Sequence, residues 1–96
     1  MEKMKIYISG EITNDPNYKE KFAEAEEYLK AKGYVIMNPA ILPEGFDYED
    51  YMTICFAMID VCDLMFMIKG WEKSDGAKRE SYYACAKNKS VQMDER

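Results

Sequence analysis

Histidine is absent from this chain of 96 residues. Its absence excludes the Ser-His and Cys-His arrangements of nucleophilic enzymes and most zinc sites, because each of them needs an imidazole. The cysteines are odd in number and show no CxxC spacing, so we interpret all three as reduced thiols of the core: Cys55, Cys62 and Cys85. We expect neither a metal site nor a bound cofactor. Any chemistry must therefore rest on carboxylates, hydroxyls and backbone amides.

Basic residues and long apolar runs are also scarce. Thirteen Lys and Arg stand against eighteen Asp and Glu, which gives a net charge of −5. This balance argues against a nucleic-acid partner, which needs clustered positive charge, but a small anion can still bind at a helix start. Apolar segments such as residues 64–68 are far shorter than the ~20 residues of a membrane span. Residues 1–5 show no signal-peptide stretch. We expect a soluble, cytoplasmic protein without a membrane partner.

The pattern of the chain predicts one α/β domain over residues 1–96, since no linker or repeat interrupts it. Short apolar runs predict strands at residues 4–9, 34–37, 63–68 and 90–93, and helical periodicity predicts helices at 16–32, 48–61 and 76–88. The order β-α-β-α-β-α-β indicates a four-stranded parallel sheet with helices on both faces. We expect this three-layer, flavodoxin-like (Rossmann-like) fold to have the strand order 2-1-3-4.

The predicted helix at residues 48–61 is apolar nearly all round. One stripe carries Tyr48, Met52, Cys55 and Ile59, and a second carries Ile54, Met58 and Val61. A helix of this kind is buried on more than one side. The sheet can cover one side, and in so small a domain the other side needs a partner. We therefore expect a homodimer or a higher homo-oligomer formed through this helix.

The loops that follow the strands hold the candidate ligand-binding residues, because open parallel sheets bind ligands beyond the carboxyl ends of their strands. Glycines there allow close approach to the backbone, asparagine both donates and accepts hydrogen bonds, and tryptophan can stack on a nucleobase. The candidates are Ser9 and Gly10 after the first strand, Asn38 after the second, and Trp71, Ser74 and Gly76 after the third.

Glu80 is the candidate nucleophile. Ser74 or Asp75 can cap the third helix, which places Glu80 near its start, where we expect the helix dipole to keep the carboxylate ionised. An ionised, positioned carboxylate can attack an anomeric carbon in glycosyl transfer. The alternative is that Glu80 only contributes to helix capping and solubility. Tyr7, at the end of the first strand, has a similar alternative as an aromatic residue of the core.

An ordered set of short motifs resembles the nucleoside 2-deoxyribosyltransferase superfamily. The set comprises residues 6–10 (IYISG), residues 34–39 (YVIMNP), Cys62-Asp63, residues 70–77 (GWEKSDGA) and Glu80. The similarity runs over nearly the whole chain. It is greatest to the short, often phage-encoded proteins of unknown function of the DUF4406 type, which are grouped beside these enzymes.

The resemblance implies a nucleoside or nucleotide pocket at the strand ends. In the characterised enzymes, a glutamate at the position of Glu80 attacks C1′ of the deoxyribose and releases the base, and a tyrosine at the position of Tyr7 orients it. Ser74 matches a serine that binds the 5′-phosphate in relatives that hydrolyse nucleotides, which favours a 5′-phosphorylated ligand. Where the enzymes carry an aspartate that acts on the leaving base, this chain has Cys55.

Three functions stay open at this point. The first is an enzyme, a nucleotide N-glycosidase or nucleoside deoxyribosyltransferase that uses Glu80. The alternative is a non-catalytic nucleotide-binding module that senses or sequesters a nucleotide signal, for example in the defence of a phage against its host. The third is a structural protein that assembles through the helix at 48–61.

Overall fold

The computed structural model of the protein describes residues 3–96. Residues 1 and 2 lie outside the described residues. The prediction that residues 1–5 contain no signal peptide falls partly on them. Strands and helices alternate as predicted: β1 (Lys5–Ser9), α1 (Tyr18–Lys30), β2 (Val35–Met37), α2 (Tyr48–Asp60), β3 (Leu64–Met67), α3 (Asp75–Ala86) and β4 (Ser90–Met93). Short 3-10 helices, Pro39–Ile41 and Trp71–Lys73, lie in the loops after β2 and β3.

The sheet is parallel throughout, and its strands lie in the order β2-β1-β3-β4. This confirms the predicted fold class and strand order. In the register, Tyr7 of β1 lies opposite Met65 of β3, and Ser9 lies opposite Met67. Because β1 and β3 are the central strands, their carboxyl ends lie side by side at the same edge of the sheet.

The helices cover the two faces of the sheet unequally. On one face, α1 buries Phe22, Ala25 and Leu29 against the side chains of Ile6 and Ile8. On the other face, α2 and α3 pack together on a cluster that includes Tyr7, Cys55, Ile59, Met65, Met67, Ala77 and Ala84. Successive residues of a strand point to opposite faces. The odd-numbered residues of β1 therefore face α2 and α3, and the even-numbered ones face α1.

The ends of α1 show what stops and starts a helix in this chain. The helix begins at Tyr18, two residues later than predicted, because Asp15 forms a turn in which its carboxylate accepts a hydrogen bond from the backbone N–H of Asn17 at 2.9 Å. At the other end, Gly33 adopts a φ of +93°. That left-handed conformation suits glycine and ends the helix as predicted.

The exposure of the apolar residues confirms one expectation and corrects another. On α2, Met52, Cys55 and Ile59 are buried as predicted, whereas Val61, just after the helix, is 56% exposed. The interpretation of every cysteine as a core thiol is wrong for Cys85, which is exposed. Cys85 directly follows the buried Ala84, and one step along a helix turns a side chain by about 100°, away from the core. No helix within residues 3–96 is long and apolar enough to span a membrane.

Candidate functional site

Glu80 lies on the face of α3 that packs against the sheet. Ser74 is the N-cap of this helix, and its Oγ accepts a hydrogen bond from the backbone N–H of Ala77 at 3.1 Å. The buried positions of α3 are Ala77, Glu80 and Ala84, a helical stripe in which Glu80 is the only charged member. Only 8% of Glu80 is exposed. The small alanines on both sides of it let the helix lie close to the sheet and carry the carboxyl group into the core.

Ser9 connects this carboxyl group to the carboxyl end of β1. Its Oγ donates a hydrogen bond to Oε1 of Glu80 at 2.7 Å, and both side chains are buried. The bond crosses from the central strand to the helix above it. It places Glu80 at the edge of the sheet where ligands of such folds bind.

Tyr7 lies two residues before Ser9 on the same face and is fully buried. Its hydroxyl lacks a hydrogen-bond partner among the described residues. Burial, with the nearby charge of Glu80 as the next cause, raises the pKa of Tyr7 well above its ordinary value of 10.0. The phenol therefore keeps its proton, and the structure places an available hydrogen-bond donor beside the carboxyl group. Leaving such a donor unpaired costs about 1–3 kcal/mol.

Cys55 of α2 completes the immediate surroundings of Glu80. Burial, and after it the charge of Glu80, raises the pKa of the Cys55 thiol to about 12. The thiol therefore stays protonated at neutral pH. The sequence predicts Cys55 as a core thiol on the stripe of Met52 and Ile59, and its burial confirms this. Its place beside Glu80 was not among the predicted features of the site.

Burial raises the pKa of Glu80 to about 7, and the hydrogen bond from Ser9, together with the nearby hydroxyl of Tyr7 and thiol of Cys55, offsets only part of this effect. The expectation that the helix dipole keeps Glu80 ionised is therefore wrong. The dipole acts within the first turn, and Glu80 lies beyond it, where removal from water dominates. Within residues 3–96, no lysine or arginine forms a salt bridge with Glu80. Both the neutral and the charged form of Glu80 are therefore accessible near neutral pH.

Gly76 lies one helical turn before Glu80 and faces α2. A β-carbon at this position would lie 3.6 Å from the hydroxyl oxygen of Tyr48 and 3.8 Å from the sulfur of Met52. Ser74 and Trp71 are half-buried at the same end of α3, and Trp71 packs against the cluster that contains Tyr7. The structure thus brings Tyr7 and Ser9 into the surroundings of Glu80 and places Trp71, Ser74 and Gly76 around the start of its helix.

Gly10 and Asn38 lie on the α1 side instead. A β-carbon on Gly10 would lie 3.1 Å from Cβ of Ile68 and 3.4 Å from the ring of Phe22, so this glycine permits close packing of the core. Oδ1 of Asn38 accepts a hydrogen bond from the N–H of Ala40, and its Nδ2 donates one to Glu26, both at 2.9 Å. Both residues therefore have a structural role in the free protein.

The cavities of the α1 side are separate from Glu80. One, of about 220 Å³, lies between the loops after β1 and β3, and another, of about 490 Å³, lies between α1 and the first 3-10 helix. The first is lined by Glu11, Asp15, Lys21, Phe22, Ile68, Lys69, Gly70 and Lys73. Neither is lined by Tyr7, Ser9 or Glu80. Within residues 3–96, no three acidic or cysteine side chains are grouped as they would be to hold a metal ion.

Comparison with known proteins identifies the family of this chain. Residues 4–93 match the model of the family described as Domain of unknown function (DUF4406), and the chain belongs to that family, as predicted. Among solved structures, the chain is similar to the 2-desoxiribosyltransferase from Leishmania mexicana, with a TM-score of 0.74 and 22% identity. The match covers 94% of this chain and 63% of that chain, so this chain spans less than two thirds of its length. The similarity shows the deoxyribosyltransferase fold. No curated protein matches the chain.

Proposed function

We propose that the protein binds a nucleoside or nucleotide at the carboxyl ends of β1 and β3 and cleaves or transfers its N-glycosidic bond with Glu80 as nucleophile. The observation that carries the proposal is the buried carboxyl group of Glu80, which accepts a hydrogen bond of 2.7 Å from Ser9 at the carboxyl end of β1. The fold shared with a 2-desoxiribosyltransferase supports the same reaction class.

The proposed reaction uses the charged form of Glu80. Its carboxylate attacks the anomeric carbon, the bond to the base breaks, and a glycosyl ester forms on Glu80. Water or an acceptor base then resolves the ester. Ser9 holds one carboxylate oxygen through its hydrogen bond. The hydroxyl of Tyr7, which is buried and unpaired in the described part of the chain, is available to orient the carboxylate once substrate is bound.

The proposed ligand contacts follow from the same edge of the sheet. The hydroxyl of Ser74 accepts one hydrogen bond as N-cap and retains its own proton, which it can donate to a 5′-phosphate. Gly76 keeps the start of α3 open, and Trp71 offers a flat surface for a base. We propose that Gly10 and Asn38, on the α1 side of the sheet, also contact the ligand. A ligand that reaches them has to extend across the carboxyl end of β1.

A panel of deoxynucleosides and deoxynucleotides, with chromatography for free base and for bound ligand, tests the proposal. We expect wild type to release base, and Glu80→Gln to reduce the rate at least about 1,000-fold. Glu27→Gln, which changes an exposed glutamate of α1, is the matched control and should retain full activity. Release at equal rates from wild type and Glu80→Gln would refute the proposal. One compound carried intact with the protein would instead identify a binding module.

We also propose that two copies of the chain associate through the helix at 48–61. Ile54 and Met58 are only half-buried on α2, and Val61 beside them is exposed. A second copy of the helix is a natural cover for such a stripe. Light scattering at micromolar concentration should give twice the mass of 11.2 kDa or a higher multiple. A monomer would contradict the proposal, and Val61→Asp should shift the assembly to monomer.

A further inference from the structure

The carboxyl group of Glu80 is surrounded by neutral hydrogen-bond donors. Its neighbours in the fold are the hydroxyl of Ser9, the phenol of Tyr7 and the thiol of Cys55. Buried carboxylates normally pair with a cation, because neutral donors replace only part of the lost hydration. This site therefore has a negative charge in its reactive form, and no lysine or arginine of residues 3–96 pairs with it to balance that charge.

The cations nearest in sequence are held elsewhere. Arg79 forms a bidentate pair with Glu49 of α2, at 2.9 and 3.3 Å, and its guanidinium lies 5.5 Å from the ring centre of Tyr48. Lys78 lies 4.0 Å from the exposed carboxylate of Asp75. Both cations are thus directed to carboxylates on the outside of the protein, and neither salt bridge involves Glu80.

Among the described residues, the same surroundings also lack an efficient proton donor for a leaving base. Departure of a neutral purine or pyrimidine needs a proton on the ring, and a suitable acid has a pKa near the working pH. The thiol of Cys55 has a pKa of about 12, and the pKa of Tyr7 is raised well above 10.0. The carboxylates near the start of α2 are also engaged: those of Asp47 and Asp50 accept hydrogen bonds from backbone N–H groups in the capping box of the helix. The side chain of Asp75 is 96% exposed, and that of Glu49 holds Arg79.

We infer that the substrate of this site is a cationic N-glycoside, whose base carries its positive charge in the ring bonded to the sugar, as in pyridinium and N7-alkylpurine nucleosides. The inference rests on the proposed function and adds the chemical class of the base. A cationic base supplies the missing counter-charge to Glu80 in the bound state. It also leaves without needing a proton.

The reaction balances without an added acid. The carboxylate oxygen of Glu80 forms a bond to C1′, the C1′–N bond breaks, and its electron pair returns to the ring nitrogen. The base departs neutral, and the protein carries a glycosyl ester. Water then attacks the ester, the sugar leaves with the hydroxyl group, and the remaining proton goes to solvent as the carboxylate is regenerated.

The test compares cationic and neutral substrates on the full chain at pH 7.0, each as nucleoside and 5′-monophosphate. One arm pairs the 2′-deoxyriboside of nicotinamide with 2′-deoxycytidine, and the other pairs 7-methyl-2′-deoxyguanosine with 2′-deoxyguanosine. Rates of base release are measured for wild type, Glu80→Gln and Glu27→Gln, and the Glu80→Gln rate is subtracted as background. The two arms distinguish the pyridinium class from the alkylpurine class.

We expect at least one cationic substrate to be cleaved at least about 100-fold faster than its neutral counterpart, which is the size of a missing general acid. Neutral substrates cleaved as fast as cationic ones, with loss in Glu80→Gln, would overturn this inference and leave the proposed function intact. Release of base from neither class would refute the proposed function and this inference with it.

Discussion

The two faces of the sheet are built from the same strand and differ in chemistry. Toward α1, β1 presents Ile6 and Ile8 to an apolar cluster. The polar residue at that side, Asn38, has its amide oxygen and nitrogen both hydrogen-bonded. Toward α2 and α3, the strand presents Ser9, which is hydrogen-bonded to the buried carboxyl group of Glu80, and Tyr7, whose hydroxyl has no partner within residues 3–96. Because successive side chains of a strand point to opposite faces, one face of β1 can stabilise the domain while the other buries polar groups at a cost in free energy.

The largest difference between the two faces should appear when the side chain of Phe22 is truncated, which should affect stability and not activity. This ring is 1% exposed on the α1 side, and Phe22→Ala should lower the free energy of unfolding by about 3–5 kcal/mol because it leaves a cavity. Urea denaturation measures the change, and Tyr82→Ala, at a position 75% exposed, is the control. The folded fraction should still release base at the wild-type rate. A loss of activity per folded molecule would mean that the two faces are coupled.

On the face covered by α2 and α3, the charge of Glu80 should lower the free energy of unfolding of the protein, and the size of this effect should depend on pH. Its pKa is about 7 in the folded protein against an ordinary 4.5, so the acid is neutral in both states below pH 4.5, and folding is opposed as pH rises through 7. Above pH 7 the difference corresponds to about 3 kcal/mol. Glu80→Gln should therefore match wild type near pH 4.5 and exceed its stability by about this amount at pH 8.

Urea denaturation of the Glu80→Gln protein at pH 4.5, 6 and 8 measures this effect. Glu27→Gln, at an exposed position of α1, should differ from wild type by a constant small amount at all three values. A wild-type protein as stable as Glu80→Gln at pH 8 would show that Glu80 ionises without penalty. That result would remove the distinction between the two faces.

The smallest effect concerns the hydroxyl of Tyr7. Tyr7→Phe removes a buried donor that lacks a partner among the described residues, so the free energy of unfolding should rise by about 1 kcal/mol. Base release should fall about tenfold, since a hydrogen bond to a charged group is worth about 1.5 kcal/mol. Tyr34→Phe, on the α1 side, is the matched control and should change neither quantity. A destabilised Tyr7→Phe protein would mean that the hydroxyl is paired in the native state.

Much of the fold is predictable from sequence because its elements have local causes. Apolar runs such as residues 64–68 and the helical spacing of Phe22, Ala25 and Leu29 determine strands and helices, and their alternation determines the layers. The predicted elements do not include the 3-10 helix at Pro39–Ile41. An Asn-Pro pair favours a turn of this kind, in which the Asn38 side chain accepts a hydrogen bond from the N–H of Ala40.

The sequence predicts that Tyr7, Ser9 and Glu80 lie near one edge of the sheet, but it does not predict the electrostatics of this cluster. The place of Glu80 after the cap of α3 is a local property, whereas its raised pKa depends on burial by a sheet that is formed from other parts of the chain. The same holds for Gly10 and Asn38, whose loops predict a place at the ligand edge but whose packing depends on Phe22 and Glu26 of α1. Their role in ligand binding stays a prediction.

The hydrogen bond between Ser9 and Glu80 also links folding to protonation. The two residues are 71 positions apart, so the carboxyl group reaches its buried place only after β1 and α3, near opposite ends of the chain, have met. Contacts of such separation require closure of most of the chain. Before that closure the glutamate is in water and ionised at pH 6, and afterwards its pKa is about 7. Near pH 6, assembly of this domain therefore takes up a proton from solvent, and its unfolding returns that proton.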